Sequence, residues 1–319
     1  MKYKILNTIG PVFTDKAKTE LAKLGEVEYC IPSQEELVTA VAPYHIVVVG
    51  LGLRFDRAVL EGASHLRLIA IATTGLDHID VEYAQSRGIE VISLKGETAF
   101  LDTITGTAEL AAGLMLDLMR EISAAGEAVK KYQWDREQFR GHTLYGKTLG
   151  IVGFGRLGKM MARFGRAFGM EVLAQDPQPD QNFCKAHDVR VVSFDVLVKQ
   201  SDVISIHMPL NRATENMFSE KTFAQMKPTA YLINTARGKI VNESDLLAAL
   251  KRGGLAGYAA DVMAEEVNFG KIFSIHPLVE YAKTHFNVLI TPHIGGMTHE
   301  SRAATDVFIA NKVAQWAVR

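Results

Sequence analysis

The stretch TLGIVGFGRLGKMMA, residues 148–162, decides the fold class of this chain. It places Gly153, Gly155 and Gly158 between an apolar run typical of a strand and the start of an apolar helix. The first glycine permits a tight turn, the second lets the backbone approach a pyrophosphate, and the third lets the helix close onto the strand. We therefore predict a dinucleotide-binding turn in which the phosphates meet the N-terminus of the helix.

The next strand supplies an acid at the spacing that such a turn requires. Asp176 follows Gly158 by 18 residues (176 − 158), close to the position from which a carboxylate binds the ribose 2′-hydroxyl. A carboxylate repels a 2′-phosphate, and residues 177–183 contain no Arg or Lys to compensate. We predict NAD rather than NADP as the cofactor, with Arg156 and Leu157 in the turn contributing to its binding.

A second glycine pair, Gly50 and Gly52, also follows an apolar run. The third glycine of the motif is missing, because Phe55 stands in its place, and no correctly spaced acid follows. This pair predicts a turn at a strand end rather than a second nucleotide site.

Short apolar runs alternate with segments of helical period along most of the chain. Continuous apolar runs, rather than strict alternation, indicate strands that are covered on both faces of a parallel sheet. Besides the run within residues 148–155, such runs occupy residues 45–50, 66–75, 89–94, 170–176, 202–209, 230–238 and 255–262. The pattern predicts an α/β protein.

The stretch between residues 98 and 134 interrupts this alternation. It is mostly helical in pattern, with Leu110, Leu114 and Leu118 at four-residue spacing. We interpret it as a connector between two domains, which agrees with a length of 319 residues.

The domain boundaries follow from this connector. We predict a substrate-binding domain formed by residues 1–101 and 297–319, and an NAD-binding domain formed by residues 102–296. Both are expected to be Rossmann-like or flavodoxin-like, with parallel sheets and a cleft between them. The amphipathic segment at residues 299–318 is expected to pack back on the N-terminal domain.

Composition excludes several classes of function. A net charge of −1 with 48% hydrophobic and 22% charged residues lacks the basic excess of a nucleic-acid-binding protein. The longest apolar stretches are far shorter than the ~20 residues of a membrane span, and the N-terminus lacks the apolar core of a signal peptide. Cys30 and Cys184 are isolated and have no zinc-type spacing, so we expect a cytoplasmic protein without a metal.

Polar residues at the ends of later strands could perform the chemistry that a nicotinamide cofactor needs. Hydride transfer requires a group that gives or takes a proton and a cation that orients an anionic substrate. Arg237 follows one predicted strand, Asp261 and Glu266 follow the next, and His293 lies just beyond another. The carboxyl ends of parallel strands share one edge of a sheet, so these side chains are expected at one site.

The motifs that carry these residues resemble those of the D-isomer-specific 2-hydroxyacid dehydrogenases. This family includes 3-phosphoglycerate, D-lactate, glycerate and hydroxypyruvate enzymes. The resemblance runs over residues 66–298 and is strongest in GFGRLG, HMPLNRATENMF, KPTAYLINTARG and TPHIGG.

The resemblance implies a role for each matching position. Arg237 would bind the carboxylate and carbonyl oxygen of the substrate, His293 would be the acid/base, and Glu266 would orient and protonate that imidazole. Backbone N–H groups near Thr74 and Gly75 would hold the substrate carboxylate. Further positions are assigned to the cofactor, with Asp261 at the nicotinamide amide; they are Thr107, His207, Pro209, Thr214, Thr235, Ala236 and Asp261.

Some positions keep alternatives. Family members commonly have Pro after the catalytic Glu, whereas Val267 stands here, so Glu265 is an alternative to Glu266 as the acid. His78 is either a cofactor-edge or a structural residue, as is His207. Arg54 either reaches a substrate phosphate or lies on the surface.

The leading functional prediction is an NAD-dependent oxidoreductase that interconverts a 2-keto acid and a D-2-hydroxy acid of phosphoglycerate, glycerate or lactate type. The resemblance implies a short phosphoglycerate-dehydrogenase-like form without a regulatory domain, and a homodimer formed through the connector helices. The alternative is an NAD(H)-sensing binding protein, similar to the corepressors that share this fold.

Overall fold

The computed structural model describes residues 2–50, 52–269 and 273–319. The chain forms two units, each built on one parallel sheet. The first comprises the described residues within Met1–Ile104, Val267–Lys271 and Thr298–Arg319, and the second those within Thr105–Glu266 and Ile272–Met297. The predicted α/β class with parallel sheets is confirmed.

Five strands form the sheet of the first unit. The elements in chain order are β1 (Tyr3–Asn7), α1 (Asp15–Ala22), β2 (Gly25–Tyr29), α2 (Gln34–Ala40), β3 (Ile46–Val49), α3 (Arg57–Gly62), β4 (Leu68–Ile71), α4 (Val81–Ser86), β5 (Glu90–Ile92) and α5 (Thr98–Leu101). The strand order is β2-β1-β3-β4-β5, the flavodoxin-like order. Every residue of β3 and β4 is buried, as their continuous apolar runs predict.

Seven strands form the sheet of the second unit. Its elements are α6 (Gly106–Arg120), α7 (Ile122–Lys130), β6 (Thr148–Val152), α8 (Arg156–Ala167), β7 (Glu171–Gln175), α9 (Gln181–Ala186), β8 (Val189–Val191), α10 (Phe194–Gln200), β9 (Val203–Ile206), α11 (Glu220–Phe223), β10 (Tyr231–Asn234), α12 (Glu243–Lys251), β11 (Gly257–Ala260), α13 (Pro277–Ala282) and β12 (Val288–Ile290). The strand order is β12-β11-β10-β9-β6-β7-β8. The chain reverses its direction of winding between β6 and β9, which is where parallel sheets of this type bind ligands.

Three strands were not anticipated from the sequence. β1 has only two consecutive apolar residues between Lys4 and Asn7. β2 reads GEVEY and β8 reads VRV, and both lie at sheet edges where one side needs no apolar cover. The edge position of β2 and β8 removes the continuous apolar run that marks the central strands. β1 lies between β2 and β3, and only its last three residues are buried.

The connector is divided into three helices. The chain leaves the helical path between α5 and α6, and again at Glu121, whose φ is +53°. In the described ranges, the helical stretch Thr98–Arg120 is the one segment long and apolar enough to cross a membrane by length and composition. Its apolar residues Ala111, Met115 and Met119 are fully or almost fully buried in the core of the second unit, which accounts for that composition.

The last helix, α14 (His299–Ala317), belongs to the first unit. It packs against α1, and its residues Ile309, Ala310 and Val313 are completely buried beside the sheet. The predicted return of this segment to the N-terminal part of the chain is observed.

Candidate active site

The glycine turn after β6 is shaped by close backbone contacts. Gly153 has a φ of +90°, and a Cβ there would lie 2.7 Å from the carbonyl carbon of His207. A Cβ on Gly158 would lie 2.3 Å from the carbonyl oxygen of Gly153. A Cβ on Gly155 would meet no atom within 4 Å, so the fold itself does not require a glycine there. Open space in front of Gly155, at the start of α8, fits a turn that a pyrophosphate approaches.

Asp176, the predicted ribose-binding acid, lies beside this turn. Its Oδ2 accepts a hydrogen bond of 2.7 Å from the backbone N–H of Phe154, and its Oδ1 accepts one of 2.8 Å from that of Gln178. The carboxylate therefore fixes the glycine turn and also presents negative charge next to it. Both properties agree with binding of a ribose that carries a free 2′-hydroxyl.

Two predicted cofactor residues leave buried polar atoms without partners. His207 follows β9, and its Nε2 forms a hydrogen bond of 2.8 Å with Ser205 Oγ. Among the described residues, its Nδ1 has no hydrogen-bond partner, and neither does Oγ1 of Thr235 at the end of β10. Burial lowers the pKa of His207 to about 4, so the ring is neutral at pH 7. Unsatisfied buried atoms are uncommon, and these two fit a dinucleotide that supplies their partners.

Other predicted cofactor positions are held by contacts within the protein. Thr214 Oγ1 donates to the carbonyl of Pro209 and accepts from the backbone N–H of Asn211, both at 2.8 Å, which closes the loop after β9. Thr107, near the start of α6, lies 3.2 Å from the position that a Cβ on Gly295 would occupy. Their cofactor contacts remain predictions.

Arg237 lies in a tight turn directly after β10. The fully buried Asn234 clamps this turn, because its amide nitrogen donates to the Arg237 carbonyl and its oxygen accepts from the Ala236 N–H, both at 3.0 Å. A Cβ on Gly238 would lie 2.0 Å from the carbonyl carbon of Met263. The arginine turn therefore touches the backbone of the loop after β11.

Glu266 begins the short 3-10 turn Glu266–Asn268 in that loop. Its Oε2 accepts a hydrogen bond of 3.1 Å from the Met263 N–H, and its Oε1 lies 2.7 Å from Nδ1 of His293. Glu265 instead forms an ion pair of 2.9 Å with Lys239 and is about half exposed. Of the two acids considered from the sequence, Glu266 is the one in contact with the histidine.

His293 lies in a turn after β12 with a φ of +55°, a left-handed conformation that is uncommon for a residue with a side chain. Asp261, only 2% exposed, holds this turn. Its carboxylate accepts hydrogen bonds from Thr291 Oγ1 at 2.6 Å, and from the backbone N–H groups of Ile294 and Gly295 at 2.7 Å each. The predicted contact of Asp261 with the nicotinamide amide remains a prediction beside this structural role.

The surroundings of His293 favour its protonated form. Burial opposes protonation, but the hydrogen bond and charge of Glu266, together with the charge of Asp261, outweigh burial and raise the pKa of His293 above its ordinary value of 6.5. The positive charge of Arg237 acts in the opposite direction. With Nδ1 directed at Glu266, the Nε2 atom is the one that can exchange a proton with a substrate.

The predicted substrate loop belongs to the first unit, whereas Arg237, Glu266 and His293 belong to the second. Thr74 is exposed and follows β4, and Gly75 accepts a hydrogen bond of 3.3 Å from Thr73 Oγ1 through its carbonyl. Their contact with a substrate carboxylate remains a prediction.

Arg54, also in the first unit, has an exposed side chain, and its backbone N–H donates to Gln34 Oε1 at 2.7 Å. Exposure agrees with the surface alternative for this arginine, and the described contacts give its side chain no ligand-binding surroundings.

The sequence reasoning missed the residues that hold the site together. Asn234, Gly238 and Glu243 were not singled out, although the first two stand in the quoted motif INTARG. An Asn at a strand end is a turn signal, because its side chain can accept the backbone N–H two residues on, and this signal could have marked Asn234 as a clamp. Glu243 contacts the N–H of Ala264, 21 residues away, and no local pattern marks such a contact.

Comparison with known proteins gives a matching family model and relatives of similar sequence. Residues 112–295 match the model of the D-isomer specific 2-hydroxyacid dehydrogenase NAD binding domain. The D-3-phosphoglycerate dehydrogenase of Methanocaldococcus jannaschii is 35% identical over 97% of this chain and 56% of its own length. The hydroxypyruvate reductase of Thermotoga maritima is 32% identical over 94% of both chains.

The solved structure of D-lactate dehydrogenase from Aquifex aeolicus, complexed with NAD and lactic acid, has a TM-score of 0.87 and 26% identity over 98% of this chain and 95% of its own. The chain spans about half the length of the phosphoglycerate dehydrogenases that it matches. Family model and relatives agree: the chain belongs to the D-isomer-specific 2-hydroxyacid dehydrogenases.

Proposed function

We propose that this chain catalyses the NAD-dependent interconversion of a 2-keto acid and a D-2-hydroxy acid. The observation that carries the proposal is the 2.7 Å contact between His293 Nδ1 and Glu266 Oε1 in the same unit as a glycine turn that fits a dinucleotide. A histidine with a raised pKa is suited to donate a proton to a carbonyl oxygen near neutral pH. The family membership and the enzymatic names of the relatives support the same reaction.

Each reacting residue has one task in this proposal. NADH, when bound, supplies the hydride that C2 of the keto acid accepts. The guanidinium of Arg237 binds the carboxylate of the substrate and polarises its carbonyl. His293 donates the proton on Nε2 to the carbonyl oxygen, which leaves the imidazole neutral. Its Nδ1–H remains hydrogen-bonded to Glu266 Oε1. In the reverse direction, neutral His293 takes the proton from the hydroxyl group.

The substrate class is a small 2-keto acid, because the relatives are named for phosphoglycerate, hydroxypyruvate and lactate. The test is NADH oxidation, followed at 340 nm, with glyoxylate, pyruvate, hydroxypyruvate, phosphohydroxypyruvate and bulkier 2-keto acids. We expect turnover with at least one of them. NADH binding without oxidation by any of these acids would instead support the alternative of a dinucleotide-sensing binding protein.

We also propose that the chain forms a homodimer through the connector. The side chains of Ile122 and Val129 on α7 are about half exposed, and those of Tyr132 and Trp134 just beyond it are 99% and 89% exposed. Apolar side chains concentrated in one segment are typical of an interaction surface. Light scattering after gel filtration should give twice the chain mass for wild type and the single mass for Val129→Asp/Trp134→Asp; a monomeric wild type would contradict the proposal.

A cytoplasmic location is proposed on the basis of the cysteines. Cys30 and Cys184 are both free, and Cys184 is buried. Burial raises the pKa of the Cys184 thiol, which makes it a poor nucleophile and agrees with a structural role in a reducing compartment.

A further inference from the structure

Glu243 contacts the loop that carries Glu266. Glu243 is the first residue of α12, and its Oε1 accepts a hydrogen bond of 2.9 Å from the backbone N–H of Ala264. We propose that Glu243 is a positioning residue that holds the Glu266 carboxylate against His293. This proposal rests on the proposed function only for its kinetic consequence, because the contact between Glu266 and His293 can be measured without turnover.

The helix does not need this side chain for its own N-terminus. Asn242 is the N-cap of α12, and its side chain accepts the hydrogen bond from the Asp245 N–H that closes the first turn. The Glu243 side chain is only 14% exposed and reaches away to the neighbouring loop. A largely buried carboxylate needs such partners, because an unpaired charge would be costly there.

A second partner fixes the other oxygen of this carboxylate. His276 Nδ1 accepts a hydrogen bond of 3.3 Å from the Leu278 N–H at the start of α13, so the ring proton of the neutral imidazole lies on Nε2. This Nε2 lies 3.3 Å from Glu243 Oε2. The contact leaves Glu243 Oε1 aimed at Ala264.

The peptide that joins Met263 to Ala264 is confined on two sides. A Cβ on Gly238 would lie 2.0 Å from the Met263 carbonyl carbon and 2.3 Å from the Ala264 nitrogen, so the backbone of the arginine turn packs directly against one side of this peptide. The Glu243 carboxylate holds the N–H of the same peptide. Glu266 Oε2 accepts a hydrogen bond from the N–H of Met263, the residue before Ala264. The position of Glu266 Oε1, 2.7 Å from His293 Nδ1, therefore depends on this peptide.

The test is an NMR titration of the His293 imidazole, assigned by comparison with His293→Asn, in wild type, Glu243→Ala, Glu243→Gln and Asp245→Ala. Asp245 is the matched control, because its carboxylate lies on the same helix and also accepts a backbone N–H, that of Glu220 at 2.9 Å, away from the Glu266 loop. We expect the pKa of His293 to fall by roughly 0.5–1 unit in Glu243→Ala. It should stay near the wild-type value in Asp245→Ala and in Glu243→Gln, whose amide oxygen still accepts from Ala264.

Two results would overturn the proposal. An unchanged pKa of His293 in Glu243→Ala would show that the pair does not depend on Glu243. An equal fall in Glu243→Gln and Glu243→Ala would show that only the negative charge matters, since Gln retains the acceptor. Absence of turnover in wild type would count against the proposed function alone and would leave this titration intact.

If wild type is active, the kinetic readout follows. In Glu243→Ala, the pH at which kcat/KM for keto-acid reduction declines should be lower than in wild type by the same number of pH units as the fall in the pKa of His293 measured by NMR. The KM for NADH should be unchanged. A loss of thermal stability alone would not move that midpoint.

Discussion

Replacing Glu266 by Gln removes the negative charge beside His293 while retaining a side chain of the same size. The two groups are 2.7 Å apart, and their side chains are 33% exposed for His293 and 23% exposed for Glu266. An opposite charge at short range typically shifts a pKa by about 1–3 units, and partial exposure to water reduces this effect. We therefore expect the pKa of His293 to fall by about 1–2 units in Glu266→Gln, or roughly 1.4–2.7 kcal/mol.

The sign of the kinetic effect follows from the proton that His293 must donate. Reduction of a keto acid requires protonated His293, so kcat/KM declines as the pH rises through a pKa that lies above 6.5 in wild type. In Glu266→Gln that decline should move about 1–2 units lower, and the rise of hydroxy-acid oxidation should move with it. The control is Glu265→Gln, since Glu265 pairs with Lys239 instead.

The same substitution affects stability with a defined sign. Because folding raises the pKa of His293, the pair stabilises the fold fully below about pH 6.5 and loses this contribution as the pH rises through the folded-state pKa. The difference in free energy of unfolding between wild type and Glu266→Gln, measured in urea, should therefore be largest below about pH 6.5 and shrink as the pH rises through the folded-state pKa. Identical kinetic midpoints in wild type and Glu266→Gln would refute the reasoning.

Three further substitutions test other parts of the site. His293→Ala should lower kcat by roughly 10²–10⁴-fold with NADH affinity retained in a fluorescence titration, and unchanged turnover would remove it from the acid/base role. Gly238→Ala places a Cβ 2.0 Å from the Met263 carbonyl carbon, so it should lower the free energy of unfolding in urea by about 1–3 kcal/mol and should lower kcat. The control is Gly126→Ala, whose Cβ would have no atom within 4 Å and which should lower neither quantity. Asp176→Asn should reduce the kcat/KM preference for NADH over NADPH by roughly 10-fold or more, since it removes the charge next to the glycine turn; an unchanged preference would contradict the assignment.

The sequence predicted those parts of the fold that have a local signature. The glycine motif at residues 153–158 predicts a tight turn from one segment alone. In the structure, a Cβ on Gly153 would lie 2.7 Å from a backbone atom and a Cβ on Gly158 would lie 2.3 Å from one, so both positions require glycine. Central strands such as β3 and β4 are covered on both faces and therefore have continuous apolar runs. Edge strands such as β2 alternate half-buried and exposed positions and have no such run.

The parts that were not predicted depend on contacts between distant residues. The division of the connector at Glu121 depends on a single residue with positive φ, for which Glu is an unusual choice. The resemblance assigned Glu266 as the acid and kept Glu265 as an alternative, and the contacts with His293 and Lys239 distinguish the two. A list of residue types cannot supply such distances.

Residues other than the reacting ones help to hold the turns that carry the reacting groups at this site. Arg237, Glu266 and His293 follow the neighbouring parallel strands β10, β11 and β12, which brings their turns to one edge of the sheet. Asn234 holds the turn of Arg237, Asp261 holds the turn of His293, and Glu243 holds the loop of Glu266. The side chains of Asn234 and Asp261 are buried, and that of Glu243 is largely buried. Arg237 and Glu266 each form one hydrogen bond with the backbone of their own turn, to the Ala236 carbonyl and from the Met263 N–H, and the holding residues add to these contacts. Loss of a holding residue should therefore reduce kcat even though every reacting atom is still present, because misplacement by about 1 Å can cost on the order of 10²-fold in rate.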